Sequence, residues 1–156
     1  MTDLLYSFDT SAFIKGRRDL LPPEVFPTLW NNIEQMIAAG VVRATDEVRR
    51  ELDKRDDTTK AWASGQDGLF VDLDEDIQAS TMRVLAAHPK LTGTGGGRNA
   101  ADPFVIGFAQ LRGGVVVTEE TLSNNLNKPR IPDVCGALGI RCINLVQFAR
   151  DQGWTF

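Results

Sequence analysis

At 156 residues, with 42% hydrophobic and 24% charged side chains, the chain has the size and composition of one ordinary globular domain. No run approaches the roughly 18 apolar residues of a spanning helix, and the first residues lack the basic stretch and apolar core of a secretory leader. A cytoplasmic protein with no membrane partner is therefore expected. The formal net charge of −4 excludes a protein that grips nucleic acid by bulk charge, but leaves room for a local basic track or a cation-binding cluster of acids.

In chain order, residues 4–8 form a short apolar run of strand length that ends at Asp9. Residues 22–40 carry Val25, Phe26, Leu29, Trp30, Ile33, Met36 and Ile37 at spacings of three and four, the pattern of an amphipathic helix, with Pro23 near its start and Gly40 at its end. Residues 41–44 read as a strand, and Thr45 as the cap of a helix running to about Lys54. Further helices are expected over 56–66 and 74–88, the second with Ile77, Met82, Val84 and Leu85 on its apolar positions and Pro89 closing it. A glycine-rich loop at 93–97 leads to a helix over 103–112. The β-branched run Val115-Val116-Val117-Thr118 is the clearest strand, and residues 141–143 form a last short one.

Short apolar strands alternating with helices predict a three-layer α/β/α sandwich, a single domain over 1–156 with a central, mainly parallel sheet. In such sheets ligands bind beyond the carboxyl ends of the strands. Asp9 follows the first strand, Glu119 and Glu120 follow the Val115 strand, Asp46, Glu47 and Glu51 follow the strand at 41–44, and Asp102 opens the helix before the Val115 strand. Converging carboxylates suit hard divalent cations such as Mg²⁺ or Mn²⁺.

Each acid also has an ordinary local explanation. Asp9 and Asp102 sit where helix caps are found, Asp102 directly before Pro103. Asp46 and Glu47 fall in the first turn after Thr45, where the helix dipole favours negative charge. Glu51 lies deeper, in reach of a pair with Arg55, and four residues from Glu47, a like-charge spacing that is mildly destabilising unless a cation lies between. Glu119 and Glu120 read equally as solvated loop acids. Only the joint placement favours a metal site.

Phe8-Asp9-Thr10-Ser11-Ala12-Phe13, Glu47-Val48-Arg49-Arg50-Glu51-Leu52, Ala101-Asp102-Pro103-Phe104-Val105-Ile106 and Val116-Val117-Thr118-Glu119-Glu120 resemble, in order and spacing, the successive acidic motifs of PIN domains. Residues 130–135 and 138–142 resemble a bacterial PIN-like subfamily associated with toxin-antitoxin pairs. The resemblance implies a PIN-like fold and a Mg²⁺- or Mn²⁺-dependent endoribonuclease, with Asp9, Glu51, Asp102 and Glu120 as catalytic and metal-binding acids. Thr10, Ser11 and Thr118 would orient them. It also implies an RNA substrate and a protein antitoxin that inserts an arginine among the acids. PIN ribonucleases commonly have Asp where this chain has Glu120, which leaves open a PIN-like domain that binds RNA or protein with little or no cleavage. Asp133 is either a further outer acid or an early helix residue.

Other signals are weaker. The glycine run before Arg98 lacks the ending of a phosphate loop. Lys15, Arg17, Arg18, Arg98, Lys128 and Arg130 are solvated charges that could also reach RNA phosphates. His88 reads as a helix-end residue, Cys135 and Cys142 as reduced thiols, and Trp30, Trp62, Phe26 and Phe70 as core or homodimer contacts. A phosphorylated receiver would need an acidic neighbour to Asp9 and a lysine after the last strand. A phosphatase would need a second aspartate where Ser11 stands.

Overall fold

A computed structural model describes residues 4–55, 57–92 and 100–156. Five strands, β1 (Tyr6–Phe8), β2 (Val42–Thr45), β3 (Phe70–Val71), β4 (Val115–Val117) and β5 (Cys142–Ile143), form one sheet in the order β3-β2-β1-β4-β5, every pairing parallel. The helices are α1 (Thr10–Lys15), α2 (Pro27–Ala38), α3 (Asp46–Arg55), α4 (Asp57–Ser64), α5 (Glu75–Ala87), α6 (Asp102–Arg112), α7 (Ile131–Leu138) and α8 (Leu145–Gln152), with a π-helical turn at Gly16–Leu20 and a 3₁₀ turn at Pro89–Thr92. This is the expected PIN-like α/β fold.

Side chains of a strand alternate between faces, and β1 shows the layering directly. Tyr6 and Phe8 point one way, each meeting the Phe148 ring of α8 edge to face at centroid distances of 4.8 and 5.2 Å. Ser7 points the other way, fully buried, and donates a hydrogen bond to the carbonyl of Val105 in α6 at 2.9 Å. Because β1 lies between β2 and β4, the connections leave it in opposite directions, and the crevice of an open parallel sheet falls beyond its carboxyl end.

Several sequence expectations are corrected. The first strand begins at Tyr6, with Leu4 46% exposed. The helix expected over 22–40 begins only at Pro27, since Pro22 to Phe26 form turns and Val25 is 63% exposed. Met82 stands at a periodic position of α5 but faces solvent, whereas Ile77 and Val84 are buried. Thr45 ends β2 as a buried residue whose hydroxyl makes no hydrogen bond, so it does not cap α3. Strand β3 and helix α8 were not expected. Trp30 is buried and Trp62 half-buried, and the two stack around the Arg17 guanidinium at 4.8 and 4.2 Å. The glycine loop, Arg98 and the start of the helix expected over 56–66 lie outside the described residues.

The helix that carries Asp102 is set by close packing on α5. A Cβ at Gly107 would stand 2.8 Å from the backbone N and Cα of Thr81, and the Gly107 carbonyl accepts from Ser80 Oγ at 2.7 Å. At its other end Gly113 adopts φ +63 and turns the chain into β4. Alanine at Gly107 would gain about 1 kcal/mol of helix propensity. The clash is with backbone, which cannot rotate away, so Gly107→Ala is expected to lose a net ~1–2 kcal/mol in urea unfolding.

Candidate active site

Asp9 leaves β1 at the N-cap position of α1 and is 3% exposed, yet its carboxylate makes no capping bond. Its Oδ2 instead accepts from Ser11 Oγ at 2.7 Å and from Thr118 Oγ1, just past β4, at 2.9 Å. Each hydroxyl has one proton, so both are committed to Asp9, and their own lone pairs take up the amides of the loop beyond β4. Glu119 N donates to Ser11 Oγ at 3.0 Å and Glu120 N to Thr118 Oγ1 at 3.1 Å. The loop carrying Glu119 and Glu120 is thereby latched to the end of β1.

The other acids arrive from separate elements. Asp102 is the first residue of α6, with Ala101 at the N-cap, so the capping role open to it in the sequence is not the one it has. It is 5% exposed, and no described residue donates a hydrogen bond to it. Glu51, from α3, accepts from Thr10 Oγ1 at 2.6 Å. Glu120 Oε2 accepts from Ile131 N, the first amide of α7, at a long 3.4 Å. The hydroxyls of Thr10, Ser11 and Thr118 therefore each donate to one of these acids.

Electrostatics link the four carboxylates. Burial, then the charges of Asp9, Glu120 and Glu51, push the Asp102 carboxyl up to about 10. Burial and the charge of Asp9 raise Glu120 to about 7, against the opposing pull of the Ile131 amide, Arg130 and Lys15. Asp9 is raised by burial, which its hydrogen bonds only partly offset. Strong upward shifts confined to a group of acids at one sheet edge mark a functional-site candidate.

The remaining acids have structural work. Asp46 and Glu47, both half-buried on α3, are paired with Arg49 at 2.7 Å and Arg50 at 3.3 Å. Glu119 is not a solvated loop acid: its Oε2 accepts from Leu145 N at 2.8 Å, at the start of α8. Asp133 accepts from Ser123 N and Oγ, Asn124 N and Arg130 N, at 2.7–3.0 Å, which ties residues 123–130 to α7. Burial works to raise its carboxyl, but these bonds outweigh it and hold it below the usual range. The Glu119 contact joins segments distant in sequence, with no local pattern to announce it, whereas Asp133 stands at the third position of α7 as an early helix residue and takes the N-cap amide of Arg130. Cys135 and Cys142 are free thiols, and His88 is the C-cap of α5.

As the side chains stand, no group of three or more His, Cys, Asp or Glu among the described residues is arranged to hold a metal ion. Each carboxylate other than Asp102 is turned toward a neutral local donor. The donor set is nonetheless that of a hard cation: oxygen ligands only, two of them buried and two half-buried, and mutually repelling. Mg²⁺ keeps several waters and needs few direct ligands.

The family described as "Domain of unknown function (DUF4411)" matches residues 6–156. No curated protein matches the chain. Among solved structures it is similar to DNA-bound VapBC from Salmonella typhimurium, with 24% identity, TM-score 0.56, and coverage of 92% of this chain and 99% of that one. It is also similar to FitAcB from Neisseria gonorrhoeae, with 17% identity, TM-score 0.52, and coverage of 91% and 99%. These likenesses show the fold.

A carboxyl whose folded pKa is raised contributes stability that is present below its unfolded value, about 3.9 for Asp, and is lost as pH rises through the folded value. For Asp102 the loss extends from about pH 4 toward about 10. Asp102→Asn should accordingly raise stability by on the order of 1–2 kcal/mol at pH 8, with the gain vanishing near pH 4, in denaturant titrations at both pH values. Asp133 has the opposite sign. Its contribution is present above about pH 4 and lost as pH falls through its lowered folded value, so Asp133→Asn should cost about 2 kcal/mol at pH 7 and progressively less below pH 4.

Proposed function

This chain belongs to the DUF4411 family, and we propose that it is a Mg²⁺- or Mn²⁺-dependent endoribonuclease, the toxin of a toxin-antitoxin pair. One observation carries the reading. Four carboxylates from four separate segments, Asp9, Glu51, Asp102 and Glu120, act on one another at the carboxyl edge of the sheet, and burial and mutual repulsion raise Asp102 to about 10. A fold seldom holds like charges so unless a cation or a reaction uses them.

When bound, a divalent cation supplies a water acidic enough to attack phosphorus near neutral pH and offsets charge on the phosphorane and leaving oxygen. Asp9, Glu51 and Asp102 are the residues that would hold the principal ion, and Glu120 would serve a weaker second position or orient water. The hydroxyls of Ser11 and Thr118 fix the rotamer of Asp9, and that of Thr10 fixes Glu51, so the oxygens need little reordering. A cytoplasmic location and an RNA substrate accompany this reading. The likeness to VapBC and FitAcB supports a protein antitoxin, whose arginine the acidic crevice would accept in bidentate fashion.

A second reading, a PIN-like domain that binds RNA or protein with little or no cleavage, is favoured by Glu120. It replaces the usual Asp, and its Oε2 is already engaged by the Ile131 amide.

Purified protein incubated with a structured RNA in Mg²⁺, Mn²⁺ or chelator decides between them. The expected result is cleavage only with metal, reduced roughly 100-fold or more in Asp9→Asn. Saturating Mn²⁺, at about 100 times its dissociation constant, should also stabilise the wild type by about 2.7 kcal/mol and the variant by much less. Mn²⁺ stabilisation without cleavage of any RNA would favour the second reading, and neither effect would remove the metal site altogether.

A further inference from the structure

Two sets of basic residues near the acidic edge differ in what they meet. On the α3 side, Arg49 and Arg50 are spent on the acids of their own helix, Arg49 with Asp46 at 2.7 Å and Asp53 at 3.6 Å, and Arg50 with Glu47 at 3.3 Å and Asp46 at 3.9 Å. Lys15, Lys90, Lys128 and Arg130, by contrast, are all exposed, and among the described residues none meets a carboxylate at ion-pair distance. Their polar contacts are neutral: Lys90 Nζ donates to Asn127 Oδ1 at 3.0 Å, and Arg130 Nη1 to Thr121 Oγ1 at 3.3 Å.

These four residues form a connected edge. Lys15 ends the helix that Asp9 begins, and Arg130 immediately precedes the amide that Glu120 accepts from. Both lie close enough for their charge to act on the Glu120 carboxylate. Lys128 is two residues before Arg130. The Lys90 bond to Asn127 brings the 3₁₀ turn at Pro89–Thr92 alongside that same loop. The loop is held in place by the four bonds to Asp133, so the charges sit on ordered backbone. No aromatic residue occurs over 119–130, which offers no stacking platform for bases.

We propose that Lys15, Arg130, Lys128 and Lys90 form a phosphate track that leads an RNA strand to the acidic crevice from the β4-α7 side, and that Arg49 and Arg50 of α3 contribute no grip. This rests on the ribonuclease reading and adds to it a direction of approach and a mode of recognition. The strand is held by its sugar-phosphate backbone, with little discrimination among bases along the track. A protein of net charge −4 can hold a polyanion in this way because the positive charge is concentrated on one side of the site.

The test measures binding of a fluorescent single-stranded RNA to the full-length protein in chelator, which prevents cleavage, across a salt series. Lys90→Gln/Lys128→Gln is expected to weaken binding roughly tenfold and to make the log-log salt dependence shallower by about 1.4, at about 0.7 for each phosphate left without its lysine. Arg49→Gln/Arg50→Gln should leave both quantities within about twofold, because those charges are already neutralised. Mn²⁺-induced stabilisation should match wild type in both double variants, as neither changes Asp9, Glu51, Asp102 or Glu120. The track is overturned if the lysine variant binds like wild type or if the α3 variant carries the loss. If that happens while wild type still cleaves RNA in Mg²⁺, the ribonuclease reading survives alone. Wild type that neither binds nor cleaves RNA overturns both.

Discussion

The two hydroxyl bonds to Asp9 Oδ2 join the ends of the central strands, and the rest of the crevice is built on that junction. Ser11 comes from the helix that follows β1, and Thr118 from the residue that follows β4. Each gives its proton to the same carboxylate oxygen and accepts an amide from the loop beyond. Parallel strands bonded side by side over three residues fix the register, with Phe8 opposite Val117. The carboxyl ends of β1 and β4 therefore finish level, and Asp9 and Glu120 are brought together by the sheet itself. On the other face of β1, Ser7 fastens α6 through the Val105 carbonyl, which brings Asp102 to the same edge one turn earlier in that helix.

Holding these acids together is unfavourable, and the way the fold accommodates it is informative. Neither Asp9 nor Asp102 has a cation among the causes acting on its carboxyl; the partners of Asp9 are neutral, and the charges acting on Asp102 are all negative. A protein under selection for stability alone would place an arginine there, as it does for Asp46 and Asp151. The two treatments within one chain separate the acids by purpose. Asp46, Asp151 and Asp133, which serve the scaffold, meet a guanidinium or several amides and their carboxyls are held below the usual range. Asp9, Asp102 and Glu120, which face the crevice, are raised by burial.

Much of this was readable in the sequence because an open parallel sheet has few places for a site. Following each apolar run past its end pointed to Asp9 and to Glu119 and Glu120, a helix start pointed to Asp102, and the resemblance to PIN motifs singled out Glu51 and Glu120 from their acidic neighbours. What escaped depended on partners far along the chain. Glu119 serves the amide of Leu145, and a carboxylate carries no local mark of a distant amide; Asp133, by contrast, is the early helix residue the sequence allowed for, and serves residues 123, 124 and 130 nearby. Strand β3 is only two residues long, too short for any alternation to show. Helix α8 is brief, although Asn144 and Gln147 do form a capping box at its start. The false positives have a matching cause. Val25 and Met82 keep helical spacing, but no other element covers them, and periodicity cannot report what lies opposite.

Glu120 belongs to both groups of acids at once, and this explains why a glutamate can stand there. Its carboxylate is raised to about 7 by burial and by Asp9, like the crevice acids, yet it also accepts from the first amide of α7, like the scaffold acids. The extra methylene relative to aspartate gives the reach needed to span from the end of β4 to the start of α7. The connection between those elements has no regular structure of its own, and such loops keep a fixed shape only when their backbone groups find partners. Here Asp133 serves the middle of the loop, Glu119 ties its start to α8, and Glu120 bridges its two ends. The bond to Ile131 is long at 3.4 Å, weaker than the bonds around Asp133, and so the most easily exchanged for another partner. Glu120 thus links the shape of the loop to whatever enters the crevice, which places the residue that departs from the PIN pattern at a point where scaffold and crevice share an oxygen.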